Sequence, residues 1–173
     1  HPLKTIKTLC RNKYFILITL AFAVIYTSLG LTGGSRIYYA KYVLGDEMLN
    51  STMTMFNYIP TILTIMLIPV FTKRFGKIKA LFVGFLFYAA GLVLEIAGPV
   101  NLPMIYTGLV LQGIGHAALY SCLFAIVGDV VDYSEWKDGI REEGITYSVT
   151  SFGQKIGTGL GTAALGWILA AGH

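Results

Sequence analysis

Apolar residues run in five stretches of helical length, at about 14–37, 49–71, 79–98, 103–128 and 146–171, separated by short polar connections. About 20 such residues cross a hydrocarbon core of roughly 30 Å as an α-helix, so the pattern predicts an all-α membrane protein of about five transmembrane helices. The connections at 41–47 and 98–103 are brief and rich in turn residues, which makes sequence neighbours pack side by side. No linker or low-complexity tract interrupts residues 1–173, so they read as one domain of stacked helices.

Within the stretches, polar and small residues also keep helical spacing. Gly153, Gly157 and Gly161 recur every four residues in the last span, a stripe that lets another helix approach closely. Lys155 lies about 200° round the helix from Gly153, so the charge faces away from that stripe. Ser148, Ser151, Thr158 and Thr162 share its side, and a polar stripe along a membrane helix argues for an aqueous cavity. Span four repeats the device: Gln112, His116 and Tyr120 fall at i, i+4 and i+8, one step after Gly108, on one face. Gly30, Gly33 and Gly34 in span one, with Pro60 and Pro69 in span two, mark either ordinary helix irregularity or a hinge around a cavity.

Composition agrees with a membrane location. Residues of the AVILMFWYC set make up 55% of the 173 and charged residues 13%, against roughly 45–50% and 25% in soluble domains; mean hydropathy is +0.67. The net charge of +4 would suit a nucleic acid, but its placement marks topology instead. Lys4, Lys7, Arg11 and Lys13 precede span one, Lys73, Arg74, Lys77 and Lys79 separate spans two and three, and Lys137 and Arg141 separate four and five. The other side carries only Arg36 and Lys41. This bias predicts a cytoplasmic N-terminus and an external C-terminus in a plasma membrane. Cys10 and Cys122 suggest packing residues, not a disulfide or metal site. The first apolar stretch is too long for a signal peptide and lacks a small-residue cleavage site. A start at His1 without Met and a stop at His173 straight after an apolar run suggest a chain cut at both ends.

Lys155 is the strongest chemical signal. It lies about ten residues into its helix, and an intramembrane Lys is unfavourable by about 2.5–3.5 kcal/mol, so it is expected to serve a cavity or a structural ion pair. His116 is expected as a hydrogen-bonded core residue, with proton carriage the sharper reading. Asn57 and Gln112 read as interhelical hydrogen-bond donors, and Glu95 as a solvated or paired residue near the outer interface. Between spans four and five, mixed charges suggest a solvated loop, yet Asp129 and Asp132 are three apart on one side and Arg141 is able to bridge them as a gate. Nothing supports catalysis: Ser121 is about 500° round the helix from His116, and no third group orients the His. No phosphate-cradling loop or metal cluster is present in the sequence.

The segment AspValValAspTyrSerGluTrpLys (129–137), followed by GlyIleArgGluGluGly (139–144) and TyrSerValThrSerPheGlyGlnLysIleGlyThrGlyLeu (147–160), resembles the glycoside-pentoside-hexuronide:cation symporters. That family is of major facilitator type and includes melibiose and glucuronide permeases. The likeness extends more loosely over the whole chain, including the loop 71–79. It implies helices seven to eleven of twelve, most of a C-terminal six-helix half, with sugar bound at mid-membrane between two halves. By the same resemblance Lys155 matches a helix-eleven lysine near the sugar and cation sites, and Thr150, Ser151 and Gln154 occupy neighbouring cavity positions. Tyr120 falls where melibiose carriers place a helix-ten tryptophan beside the sugar; Gln112 and His116 are expected to line the cavity from their shared polar stripe and not from the resemblance. Asp129, Asp132 and Arg141 match the family's cytoplasmic charge network.

The expected partners are therefore a sugar or glycoside, the lipid bilayer and a missing N-terminal half, with no nucleic acid. No cofactor is expected beyond Na+ or H+ as coupling ion, its main site on the missing half, in a bacterial inner membrane. Two rivals are a lysophospholipid-type carrier and a non-transporting membrane scaffold or sensor.

Overall fold

In the computed structural model, which describes residues 13–139, 141 and 143–171, each apolar stretch is carried by a helix longer than itself. The helices are α1 (Lys13–Tyr38), α2 (Leu49–Phe75), α3 (Lys77–Ala97), α4 (Leu102–Asp138) and α5 (Glu143–Ala171), with a π-helical turn at Tyr39–Val43 closing α1. Lys4, Lys7, Arg11 and Cys10 lie outside the described residues.

The extra length is polar. Residues 71–79, read from sequence as a loop, are helical except for Gly76, because apolarity marks where hydrocarbon ends and not where a helix must end. Gly76 alone joins α2 to α3 at φ +87°, a left-handed conformation that glycine adopts without a Cβ penalty. Likewise the charged segment after residue 128 continues α4 to Asp138. It stops at Gly139, whose φ is +67° and whose N–H donates to the Glu135 carbonyl at 3.0 Å.

Among the described residues four segments are long and apolar enough to cross a membrane: Lys13–Val43, Leu49–Phe75, Lys77–Ala97 and Leu102–Lys137. The fifth helix has 29 residues, about 43 Å at 1.5 Å per residue, so its length suffices while its glycine and hydroxyl stripes dilute its apolarity.

The chain divides into two compact units, a middle unit of Ile37–Phe124 and an end unit of His1–Arg36 with Ala125–His173. Both boundaries fall inside helices, α1 and α4, which is why no linker marks them in the sequence.

In the middle unit α3 runs antiparallel to α4 through glycine contacts. A Cβ on Gly115 would sit 2.6 Å from the Gly84 carbonyl oxygen and 2.8 Å from Tyr88 Cβ, and one on Gly91 would sit 2.7 Å from Gln112 Cγ. Parallel to α4 runs α2, tied by polar bonds: Asn57 Nδ2 donates to the Leu109 carbonyl at 3.1 Å, and the Thr61 hydroxyl lies 3.0 Å from the Gly113 carbonyl. Its outer positions Ile59, Ile62, Leu63, Met66 and Leu67 are exposed. Apolar outside and polar or small inside is the arrangement expected when the solvent is lipid, where association depends on close contact and hydrogen bonds.

In the end unit α1 and α5 run parallel and meet through glycines on both helices. A Cβ on Gly157 would lie 2.5 Å from the Ala23 carbonyl oxygen, and one on Gly30 would lie 2.5 Å from that of Thr158. Gly161 abuts the Thr27 carbonyl and Gly34 the Leu165 side chain, whereas Gly33 faces open space. α1 runs unbroken through its three glycines, so two of them serve packing.

Candidate functional site

Helical periodicity gives α5 two unlike faces. Thr146, Thr150, Gly153, Gly157 and Gly161 are buried, while Ser148, Ser151, Lys155, Thr158 and Thr162 are exposed on the other side. Lys155 lies twelve residues after Glu143, roughly 18 Å along the axis.

Most hydroxyls on α5 are occupied by their own helix. Ser148 donates to the Gly144 carbonyl at 2.6 Å, Thr158 to Gln154 at 3.0 Å and Thr162 to Thr158 at 3.1 Å. Thr150 is 0% exposed and its hydroxyl lies between the Thr146 and Tyr147 carbonyls at 3.1 and 3.0 Å, so it belongs to the packing face and not to the face of Lys155. Among the described residues the Ser151 hydroxyl, the Gln154 amide and the Lys155 ammonium make no hydrogen bond or ion pair. Ser151 and Lys155, with Tyr147, Ser148 and Phe152, line an open groove of about 430 Å³. Tyr147 and Phe152 were not singled out from sequence, although Tyr147 lies four residues before Ser151 and Phe152 four after Ser148.

At the α4–α5 connection, the reversal at Gly139 brings Arg141 back over the end of α4. Its guanidinium meets Asp132 at 3.2 Å, Glu135 at 2.5 Å and also Glu143. Of the two carboxylates that Arg141 is expected to bridge, the structure pairs it with Asp132, and Glu135, one turn further along α4, joins them. The hydrogen bonds that the guanidinium donates to Glu135 and Glu143, and then the charges of those carboxylates, hold it still further above its already high ordinary value. All four groups are about half exposed, so each pair contributes modestly to stability. Asp129 is exposed one turn earlier on α4.

Gln112, His116 and Tyr120 belong to the middle unit. Gln112 and His116 are 1% and 7% exposed and pack against α3. The imidazole lies 4.9 Å from the Tyr88 ring and 5.7 Å from the Tyr120 ring, centroid to centroid. Only Tyr120 of the three retains partial exposure. Asn57 is the interhelical donor its type suggested. Cys122 is buried among Ile68, Ala80, Ala117 and Ala118. Among the described residues no group of three or more His, Cys, Asp or Glu is placed to hold a metal ion.

The sequence profile of the family described as MFS/sugar transport protein matches residues 2–173. The chain belongs to that family. It is 30% identical over 174 residues to the isoprimeverose transporter of Lactiplantibacillus pentosus, an alignment covering 99% of this chain and 36% of that protein. To the glucuronide carrier protein homolog of Escherichia coli K12 it is 29% identical over 167 residues, covering 95% and 36%. Against the raffinose carrier protein of Pediococcus pentosaceus the identity is 25% over 164 residues, covering 94% and 25%. The chain thus spans about a third of the length of the curated relatives it matches. No solved structure matches it significantly. These relatives are transporters, not enzymes, and family and helices together make this a multi-pass membrane protein.

Proposed function

We propose that this chain forms helices seven to eleven of a twelve-helix carrier that imports a glycoside, pentoside or hexuronide together with Na+ or H+. The observation that carries the reading is the uncommitted set on α5. Among the neighbouring hydroxyls that bond their own backbone, Ser151, Gln154 and Lys155 keep their hydrogen-bonding capacity. A sugar offers the matching hydroxyls, and Tyr147 and Phe152 offer apolar ring faces beside them. A lysine without an acidic partner among the described residues also suits an anionic sugar, the kind of solute that the name of the glucuronide carrier homolog denotes. Thr150 is assigned to helix packing in this reading, and Tyr120 to an aromatic contact with the pyranose.

Alternating access would rock two halves about a central site. The Arg141 cluster, on the side we assign to the cytoplasm, would close in one state and part in the other. The coupling ion's main ligands are placed on the other half of the carrier.

Gradient-driven uptake of labelled galactosides, xylosides and glucuronides, in cells expressing the complete reading frame, tests this. Uptake should require a Na+ or H+ gradient and fall at least about tenfold in Lys155→Ala, the loss of roughly 1.4 kcal/mol or more of binding or transition-state energy. If no sugar enters although the protein reaches the membrane, the sugar reading fails, and lysophospholipid headgroups or a scaffold role take its place.

A further inference from the structure

The α3–α4 seam of the middle unit encloses two buried polar groups that have no hydrogen-bond partner among the described residues: the Gln112 Nε2 and the Tyr88 hydroxyl. Gln112 is 1% and Tyr88 9% exposed. An amide or hydroxyl buried without a partner costs about 1–3 kcal/mol, and Leu or Phe would fill nearly the same space without that cost. Close contact alone does not explain them either, because the glycines at 84, 91, 108 and 115 already supply it.

A third polar group stands in the same seam. The His116 imidazole lies against the Tyr88 ring at 4.9 Å, and on its other side stacks Tyr120, which is half-buried. Polar side chains therefore continue from fully buried Gln112, past His116 and Tyr88, to a residue that reaches the surface of the unit. The unpartnered groups offer donors and an acceptor but no net charge. At Gly91 and Gly115 themselves the backbones are so close that a single added methyl would collide, so no sugar-sized solute threads the seam at those levels.

We propose that water is bound inside the α3–α4 seam, hydrogen-bonded to the Gln112 amide and the Tyr88 hydroxyl and lying beside His116, with access past Tyr120. Internal waters occupy such places because they satisfy buried polar groups with about three hydrogen bonds each. Water here gives the His116 ring a neighbour with which to exchange protons, inside a helix pair whose outer surface is apolar. This inference does not depend on which solute the carrier moves.

Radiolytic hydroxyl-radical footprinting of the complete carrier reads the site directly, since radicals formed from bound water oxidise adjacent side chains. Tyr88 should be modified at a rate comparable to half-buried Tyr120 and several-fold faster than Met53, which is 1% exposed and intrinsically more reactive. A Tyr88 as silent as Met53 overturns the proposal. Independently, Tyr88→Phe and Gln112→Leu should each lower the unfolding temperature by a few degrees, because each strands a bound water. A rise in either variant would mean the group was dry and unbonded, and the site would be withdrawn.

Discussion

Lys155 and Thr150 are five residues apart on one helix and meet opposite surroundings. The position of Lys155 was legible in the sequence, because its angle from the glycine stripe follows from 3.6 residues per turn. That of Thr150 was not: a threonine hydroxyl bonds its own helix readily, so it passes as a packing residue where a lysine would not. Gln112 and His116 show a related limit, since i, i+4 spacing establishes a shared face but not which neighbour covers it. Asn57 lends itself to measurement. Its amide reaches the Leu109 carbonyl across the α2–α4 contact, and such bonds in membrane proteins contribute about 0.6–1.7 kcal/mol. Asn57→Ala should lower the thermal unfolding temperature of the complete carrier in detergent by a few degrees, while Ile62→Ala, on the exposed side of the same helix, should leave it nearly unchanged.

At the scale of the element, helix number and order were readable from apolar length, and helix ends were not. Hydrocarbon thickness limits how far an apolar run extends, whereas the helix stops where a glycine turns left-handed, at Gly76 and Gly139. Glycines inside helices divide by what faces them. Gly157 stands 2.5 Å, at its missing Cβ, from the Ala23 carbonyl, and Gly33 stands in open space. Gly157→Leu should therefore separate α1 from α5 and lower the unfolding temperature by many degrees or abolish folded expression. Gly33→Ala should be neutral or raise stability by up to about 1 kcal/mol through helix propensity. Size-exclusion profiles and thermal melts of the two variants side by side distinguish packing glycines from tolerated ones.

For the whole molecule, charge predicts orientation. Ten basic residues fall on one side of the expected spans and two on the other, so cysteines placed singly at Gly45 and Lys77, in a background without Cys10 and Cys122, should label from opposite faces. Position 45 should react with an impermeant thiol reagent added to intact cells, and position 77 only after permeabilisation; the reverse result would invert the topology. Less legible was the division into two units, because α1 and α4 each contribute to both and nothing in their composition changes at residues 36 or 124. The partnership of α1 with α5 was hidden for the same reason: the glycine stripe on α5 announces that a helix packs there without saying which. That partnership has a consequence for biosynthesis. The residues of α5 that cover α1 are polymerised on the order of 100 residues after it, roughly 5–20 s at typical elongation rates. For that interval the glycine face of α1 lies against lipid or the insertion machinery, so the nascent helix must be held in place by something other than its final neighbour.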